Sequence, residues 1–380
     1  MVYLNNAATS YPKPEGVAKA MERFLREAPG SPGRGFGGIS ASRVVFEARR
    51  EISSLLRCPS EDLVCFHMNV TQAINVALWG LLREGDHAIV SSMDHNAVVR
   101  PLSEIRRRMG VEVEVARADP LGRLDPRAVE ALIRPNTRLI ACLHASNVCG
   151  TILPAAEIGE IARRRGIFFL LDCAQTAGVL ELDMEGMGVD VLAFTGHKGL
   201  LGPQGVGGMA LSPRAAEEMR PTICGGTGSR SESEEQPDFM PDKLEAGTPN
   251  AVGLAGLLAG IEHLKLMGIS RVREHEKRLY ALFLERARSV KGLRLHGLAD
   301  PELCVGVVSL SLEGIDPGEL ELRLQEEFGI HTRSGLHCAP LAHRTIGTFP
   351  RGTLRVSFGP FNGEEDIDVL VEALSWISRG

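Results

Sequence analysis

The chain has no surplus of positive charge. Its 42 lysines and arginines face 48 aspartates and glutamates, a net charge of −6, which argues against a nucleic-acid partner. It has no long apolar run either. The longest, 251–261, contains glycines and falls short of the roughly 20 residues that a membrane span requires, so no membrane role is expected. The eight cysteines form no Cys-x-x-Cys pair and keep no regular spacing, so neither a structural zinc nor any other metal is expected. Internal repeats and low-complexity tracts are absent. No basic segment followed by an apolar core opens the chain, so no secretory signal is expected. The expected compartment is a reducing cytoplasm, where free thiols persist.

Glycine, by contrast, is plentiful, with 42 residues, as suits loops that approach a ligand closely. The length of 380 residues allows two domains. Over the first two-thirds, strand-like and helix-like periods alternate. Helices are predicted near 14–26, 42–56, 73–82, 98–108, 126–133 and 155–165. Strands are predicted near 64–67, 88–91, 111–115, 138–143, 167–171, 189–194 and 206–211. Such alternation predicts an α/β fold, with a mostly parallel sheet covered by helices on both faces. Segment 225–240, rich in Gly, Ser, Glu and Pro, reads as a loop, either a surface excursion or a mobile element over a site. One long helix is predicted from 252 to about 290. A second unit follows, with strands near 293–296, 304–312 and 354–358 and helices at 317–327 and from Glu364 onward.

Chemistry gathers where strands are predicted to end. After the apolar run 189–194 comes Thr195-Gly196-His197-Lys198-Gly199. A lysine delivered by a buried strand into a glycine-rich loop is suited to lose its proton and form a Schiff base with an aldehyde. The obvious aldehyde is pyridoxal 5'-phosphate (PLP). That cofactor needs an acid facing its pyridine nitrogen, and Asp172 closes the apolar run 167–171. Gln175, three residues on, is within reach of the ring's phenolic oxygen. A phosphate needs a helix N-terminus and hydroxyls, and Thr71 stands between a strand and a helix. His95, after the strand at 88–91, is placed to stack on a ring. Taken singly, each also has an ordinary reading: a helix cap for Asp172 or Thr71, a loop residue for His95.

The ordered set Leu4-Asn5-Asn6-Ala7-Ala8-Thr9, Asp94-His95-Asn96, His144-Ala145-Ser146-Asn147, Asp172-Cys173-Ala174-Gln175 and Thr195-Gly196-His197-Lys198 resembles the class V aminotransferase superfamily of PLP enzymes. Arg333-Ser334-Gly335-Leu336-His337-Cys338-Ala339-Pro340 resembles the active-cysteine loop of cysteine desulfurases. Leu354-Arg355-Val356-Ser357 resembles their carboxylate-binding arginine. The short segment between cysteine and arginine is similar to the type II desulfurases and selenocysteine lyases. The resemblance runs from about Tyr3 to the last helix.

This resemblance implies PLP-dependent transferase fold type I. A large domain with a mostly parallel seven-stranded sheet would occupy 1–255, with its N-terminal segment joining the small domain. A smaller C-terminal α+β domain carrying the cysteine loop would occupy 256–380. It implies Lys198 as the Schiff-base lysine, Asp172 as the pyridinium partner, His95 as the stacking ring and Gln175 at the phenolic oxygen. Thr71, Thr195 and His197 would hold the phosphate, joined across a homodimer interface by Thr248 of Glu245-Ala246-Gly247-Thr248-Pro249-Asn250. Asn147 would lie beside cofactor and substrate, Arg355 would clamp the substrate carboxylate, and Cys338 would accept the sulfur. The implied reaction converts L-cysteine to L-alanine, with a Cys338 persulfide passed to an acceptor protein. A selenocysteine lyase, a cysteine sulfinate desulfinase and a non-catalytic PLP-binding sulfur-relay scaffold are the alternatives.

Read from the residues, Arg333 and His337 supply positive charge that favours the Cys338 thiolate. Cys142 and Cys173 read as small packed hydrophobes. Thr248-Pro249 also fits a helix cap and first turn. Three positions depart from the family pattern: Asn5, where an acid is usual; Gln72, where an acid usually follows the phosphate threonine; and Asp94, where a glutamate is usual. Asn5 is expected to matter little to the chemistry.

Overall fold

The computed structural model describes residues 1–28, 30 and 38–379. In chain order its strands are β1 (Val2–Tyr3), β2 (Val64–His67), β3 (His87–Ser91), β4 (Glu112–Ala116), β5 (Thr137–Leu143), β6 (Phe168–Asp172) and β7 (Val191–Thr195). The later strands are β8 (Gly207–Leu211), β9 (Leu293–His296), β10 (Val307–Leu312), β11 (Ile330–His331), β12 (Arg333–Gly335) and β13 (Thr353–Ser357). The helices are α1 (Glu15–Glu27), α2 (Ile39–Leu56), α3 (Val70–Leu81), α4 (Asn96–Met109), α5 (Pro126–Glu130) and α6 (Ala155–Arg165). They continue as α7 (Pro213–Glu218), α8 (Ala251–Met267), α9 (Ile269–Ala287), α10 (Pro317–Phe328), α11 (Pro340–Thr345) and α12 (Glu364–Ile377).

Seven strands form one sheet in the order β2-β8-β7-β6-β5-β3-β4. Only β8 runs against the others, pairing antiparallel with both β2 and β7. Strands β5 to β8 are almost wholly buried, which explains their continuous apolar runs: both faces are covered. Neighbouring residues still part to opposite sides. Phe169, Leu171, Leu192 and Phe194 pack with α2, α6 and α8, whereas Phe168, Leu170, Val191 and Ala193 pack with α3, α4 and α7.

The C-terminal part builds a second, antiparallel sheet in the order β12-β13-β10-β9. With α9, α10 and α12 it encloses a separate apolar core containing Leu279, Phe283, Leu310, Leu324, Leu354 and Leu370. The N-terminus belongs to this end of the molecule, because β1 pairs in parallel with β11.

The expected fold class is found, with local differences. The single helix predicted from 252 to 290 is two helices that meet at 75°. Gly268, at φ +83, ends the first of them in a backbone conformation that suits glycine. The apolar period continues across the break, so it gives no warning of it. α5 ends at Glu130, before the predicted 133. The strand expected from 304 starts at Val307, and Cys304 makes only an isolated bridge to Thr151. The short elements α7, α11, β1, β11 and β12 escape pattern reading, being too brief to show a period. Among the described residues no single helix is long and apolar enough to cross a membrane; α8 and α9 meet both conditions only together, as a pair bent by 75°.

Candidate active site

The parallel strands deliver the candidates at their carboxyl ends, where open α/β sheets bind ligands. Thr71 follows β2, His95 follows β3, Asn147 follows β5, Asp172 ends β6, and Thr195, His197 and Lys198 end or follow β7. The second sheet brings Arg333 on β12, Arg355 on β13 and Cys338 in the loop before α11.

Lys198 is half-buried. Desolvation of its ammonium lowers its pKa to about 8, opposed by the Asp172 carboxylate and aided by the Arg355 and Arg333 cations. This is the property a lysine needs to act as nucleophile or base near neutral pH. Asp172 is buried, and burial raises its carboxyl above the ordinary range. Its Oδ1 accepts from Ala174 N–H at 2.9 Å. His95 caps α4, its Nδ1 accepting from Ala97 N–H at 3.0 Å. Burial, then the cations Lys198, Arg333, Arg355 and Arg100, push its pKa down to about 4. The ring is therefore neutral, with its proton on Nε2.

Gln175 donates from Nε2 to Ala7 O at 3.0 Å, and with Lys198 lines a cavity of about 30 Å³. Thr71 is exposed. With His95, Asn96 and Cys338 it lines a larger cavity of about 510 Å³. Thr248 is exposed too, and no hydrogen bond joins it to the other candidates among the described residues. It does not cap α8, as its sequence setting also allowed. Asn250 does, accepting from Gly253 N–H at 3.0 Å.

Arg355 is 1% exposed. Its Nη1 donates to Asn147 O at 2.8 Å and its Nη2 to Asn5 Oδ1 at 3.1 Å, while Nε has no partner. Burial, with Arg333 adding repulsion, lowers its pKa to about 9. Asn5 therefore touches the site through Arg355. Nothing local could reveal this, since its partner lies 350 positions away. Gln72 and Asp94 serve their turns instead. Gln72 Oε1 accepts from Met68 N–H while its own N–H donates to Asn69 Oδ1. Asp94 Oδ2 accepts from both Ser91 N–H and Ser91 Oγ at 2.7 Å.

Cys338 is exposed, with Arg333 Nη2 at 3.9 Å from its sulfur. Its carbonyl accepts from Asn96 N–H at 2.8 Å, which ties the loop to the turn that carries His95. His337 corrects the sequence reading. It is buried, and burial together with the Arg355 cation lowers its pKa to about 2. It is therefore neutral and gives the thiol no positive charge; Arg333 remains as the cation beside the sulfur. Cys142 and Cys173 are buried as expected, and Cys149 is as well, whereas Cys224 is exposed.

Polar atoms left alone suggest what the site accepts. Thr195 Oγ1, His197 Nδ1, Asn147 Oδ1 and Arg355 Nε are all buried without a partner, a costly state in an interior. Hydroxyl and imidazole beside Lys198 fit a phosphate-bearing aldehyde, Asp172 fits a ring nitrogen, and the guanidinium fits a carboxylate. The residues present thus fit PLP and an amino-acid substrate.

Comparison with known proteins agrees with this geometry. The family model for aminotransferase class-V matches residues 2–370. A probable cysteine desulfurase of Methanothermobacter thermautotrophicus is 35% identical, covering 99% of this chain and 94% of that protein. The apo structure of the cysteine desulfurase from Thermococcus onnurineus superposes with a TM-score of 0.93 at 28% identity, covering 100% of this chain and 95% of that one. The cysteine desulfurase CsdA from Escherichia coli, solved in an S-sulfonic acid form, gives 0.87 at 29%, covering 99% and 94%. The chain therefore belongs to the class-V aminotransferase family and, within it, to the cysteine desulfurases.

Proposed function

We propose that this protein is a PLP-dependent cysteine desulfurase that converts L-cysteine to L-alanine and carries the sulfur on Cys338. The observation that carries the reading is the meeting, between the strand ends of the large sheet and the second sheet, of a lysine with a lowered pKa, a buried acid, a buried arginine and an exposed thiol.

In this reading Lys198, Asp172, His95, Gln175, Thr71, Thr195, His197 and Asn147 hold the cofactor, and Thr248 reaches the phosphate from a second copy of the chain. Bound there, PLP supplies an electron sink that weakens bonds at the substrate's α- and β-carbons. Arg355 takes the substrate carboxylate, filling the vacant Nε donor. Lys198, with its lowered pKa, accepts and returns the proton at the α-carbon. The Cys338 thiolate attacks the substrate sulfur; a sulfur–sulfur bond forms as the carbon–sulfur bond breaks. The electron pair of the broken bond stays with the β-carbon, which takes up a proton to leave as alanine. Cys338 is left as a persulfide, exposed and ready for an acceptor protein.

Two further proposals accompany this one. The enzyme acts as a homodimer in the cytoplasm, and the chain divides into two units, with the joint near Gly268 rather than at the 255/256 boundary expected from the sequence. The packing of α8 on α1 and α2 and the bend at Gly268 favour a joint at the later end of α8. Incubation with L-cysteine, assayed for alanine and protein persulfide together, tests the activity. Alanine without persulfide, or no alanine from PLP-loaded protein, defeats the reading.

A further inference from the structure

Beneath the cysteine loop lies a chain of hydrogen bonds that the proposed chemistry does not use. His337 Nε2 is 3.1 Å from Arg333 O. His337 Nδ1 is 3.2 Å from His343 Nε2, and His343 Nδ1 is 2.7 Å from Thr348 Oγ1. Both rings are buried, and all four ring nitrogens have partners.

The direction of the chain is forced. A carbonyl only accepts, so His337 Nε2 carries a proton. A neutral His337 must then accept at Nδ1, His343 must donate from Nε2, and Thr348 must donate to His343 Nδ1. Burial lowers the pKa of both rings, to about 2 and about 4, so neutrality holds at working pH.

The chain ends under a backbone that needs holding. His337 and Cys338 both sit at positive φ, +47 and +56, where side chains are disfavoured unless the surroundings impose the conformation. The His337 carbonyl is held by Asn147 Nδ2 at 2.7 Å and the Cys338 carbonyl by Asn96 N–H at 2.8 Å. The ring of His337 is the third anchor, and His343 is what fixes that ring from below.

We propose that His343 is a positioning residue for Cys338: by donating to His337 while accepting from Thr348, it locks the left-handed pair of residues that presents the thiol beside Arg333. The inference rests on the reading of Cys338 as sulfur acceptor, and the test separates the two.

Holoenzymes of the wild type, H343F, H343Q, T348V and C338S are compared for alanine kinetics, persulfide on Cys338 and alkylation of Cys338 by iodoacetamide. Phenylalanine keeps a planar aromatic ring, somewhat larger, and removes both nitrogens. Its kcat is expected to fall about tenfold, with the KM for L-cysteine and the visible cofactor band unchanged. Alkylation of Cys338 should slow about fivefold as the fixed presentation of the thiol is lost. The glutamine amide places a donor near the Nε2 position and should restore kcat to within about threefold of wild type. Wild-type kcat or alkylation in H343F overturns the proposal. Equal damage in H343F and H343Q overturns it as well, as does a loss shared by KM and the cofactor band. If H343F does not fold, T348V decides, since it removes one hydroxyl at nearly constant volume: a slowed kcat supports the relay and an unaltered one overturns it. An active C338S defeats the sulfur-acceptor reading alone, because the alkylation comparison still reports how His343 holds the thiol.

Discussion

Arg333 and Arg355 stand directly opposite each other in the antiparallel register of β12 and β13. Like charges so placed repel, and Arg355 is almost wholly buried. Its hydrogen bonds go to a carbonyl and an amide oxygen, neither of which neutralises it. The two guanidiniums form a standing demand for an anion, which in the proposed function a substrate carboxylate meets.

R355A should therefore lose one charge-assisted contact, roughly 1.5–3 kcal/mol, or about ten- to more than a hundredfold in kcat/KM. PLP should remain bound. Steady-state kinetics with L-cysteine check this, and unaltered kcat/KM removes Arg355 from the substrate site.

Lys198 gives a pH signature. Its pKa is lowered from 10.5 to about 8, so the neutral, nucleophilic amine appears as pH rises through that value. The rate at which cofactor-free protein takes up PLP should climb with pH and level off above about 8 rather than near that of an ordinary lysine. K198A should lack the visible band altogether. A band that persists in K198A shows that another residue holds the cofactor.

C338S should bind PLP and substrate normally, yet form neither persulfide nor stoichiometric alanine, since a hydroxyl is a far poorer nucleophile toward sulfur. Peptide mass spectrometry of cysteine-treated wild type locates the added sulfur. The other exposed cysteine is Cys224; sulfur there, with C338S fully active, moves the nucleophile to the 225–240 side of the molecule.

Thr248 is exposed and stands apart from the other candidates within one chain, as suits a residue that acts on a second copy. Mixing T248A with K198A subunits should restore part of the activity, because the mixed dimer gathers both lesions in one site and leaves the other whole. Mixed dimers with no gain over the parents exclude action across the interface.

The strand-end positions of Lys198, Asp172, His95 and Thr71 were legible because their signal is local: an apolar run followed by polar residues and glycine marks where a parallel strand leaves the sheet. The sheet's composition was legible for the same reason, since strands covered on both faces need unbroken apolar runs. Other features depend on residues far apart in the chain, and only the tertiary structure decided them. Asn5 meets Arg355 across 350 positions. Arg333 faces Arg355 only because β12 pairs with β13. His337 reads as a cation beside the cysteine, but burial makes it neutral, and burial is set by everything that packs on a ring rather than by its neighbours in sequence. The left-handed turn at Cys338 likewise is held by Asn96 and Asn147, two partners brought from distant segments of the chain. By itself the sequence determined which polar residues stand at strand ends, because strand period and loop composition are short-range. Charge state, thiol placement and the arginine pair came from the fold, because desolvation and hydrogen bonding act through space.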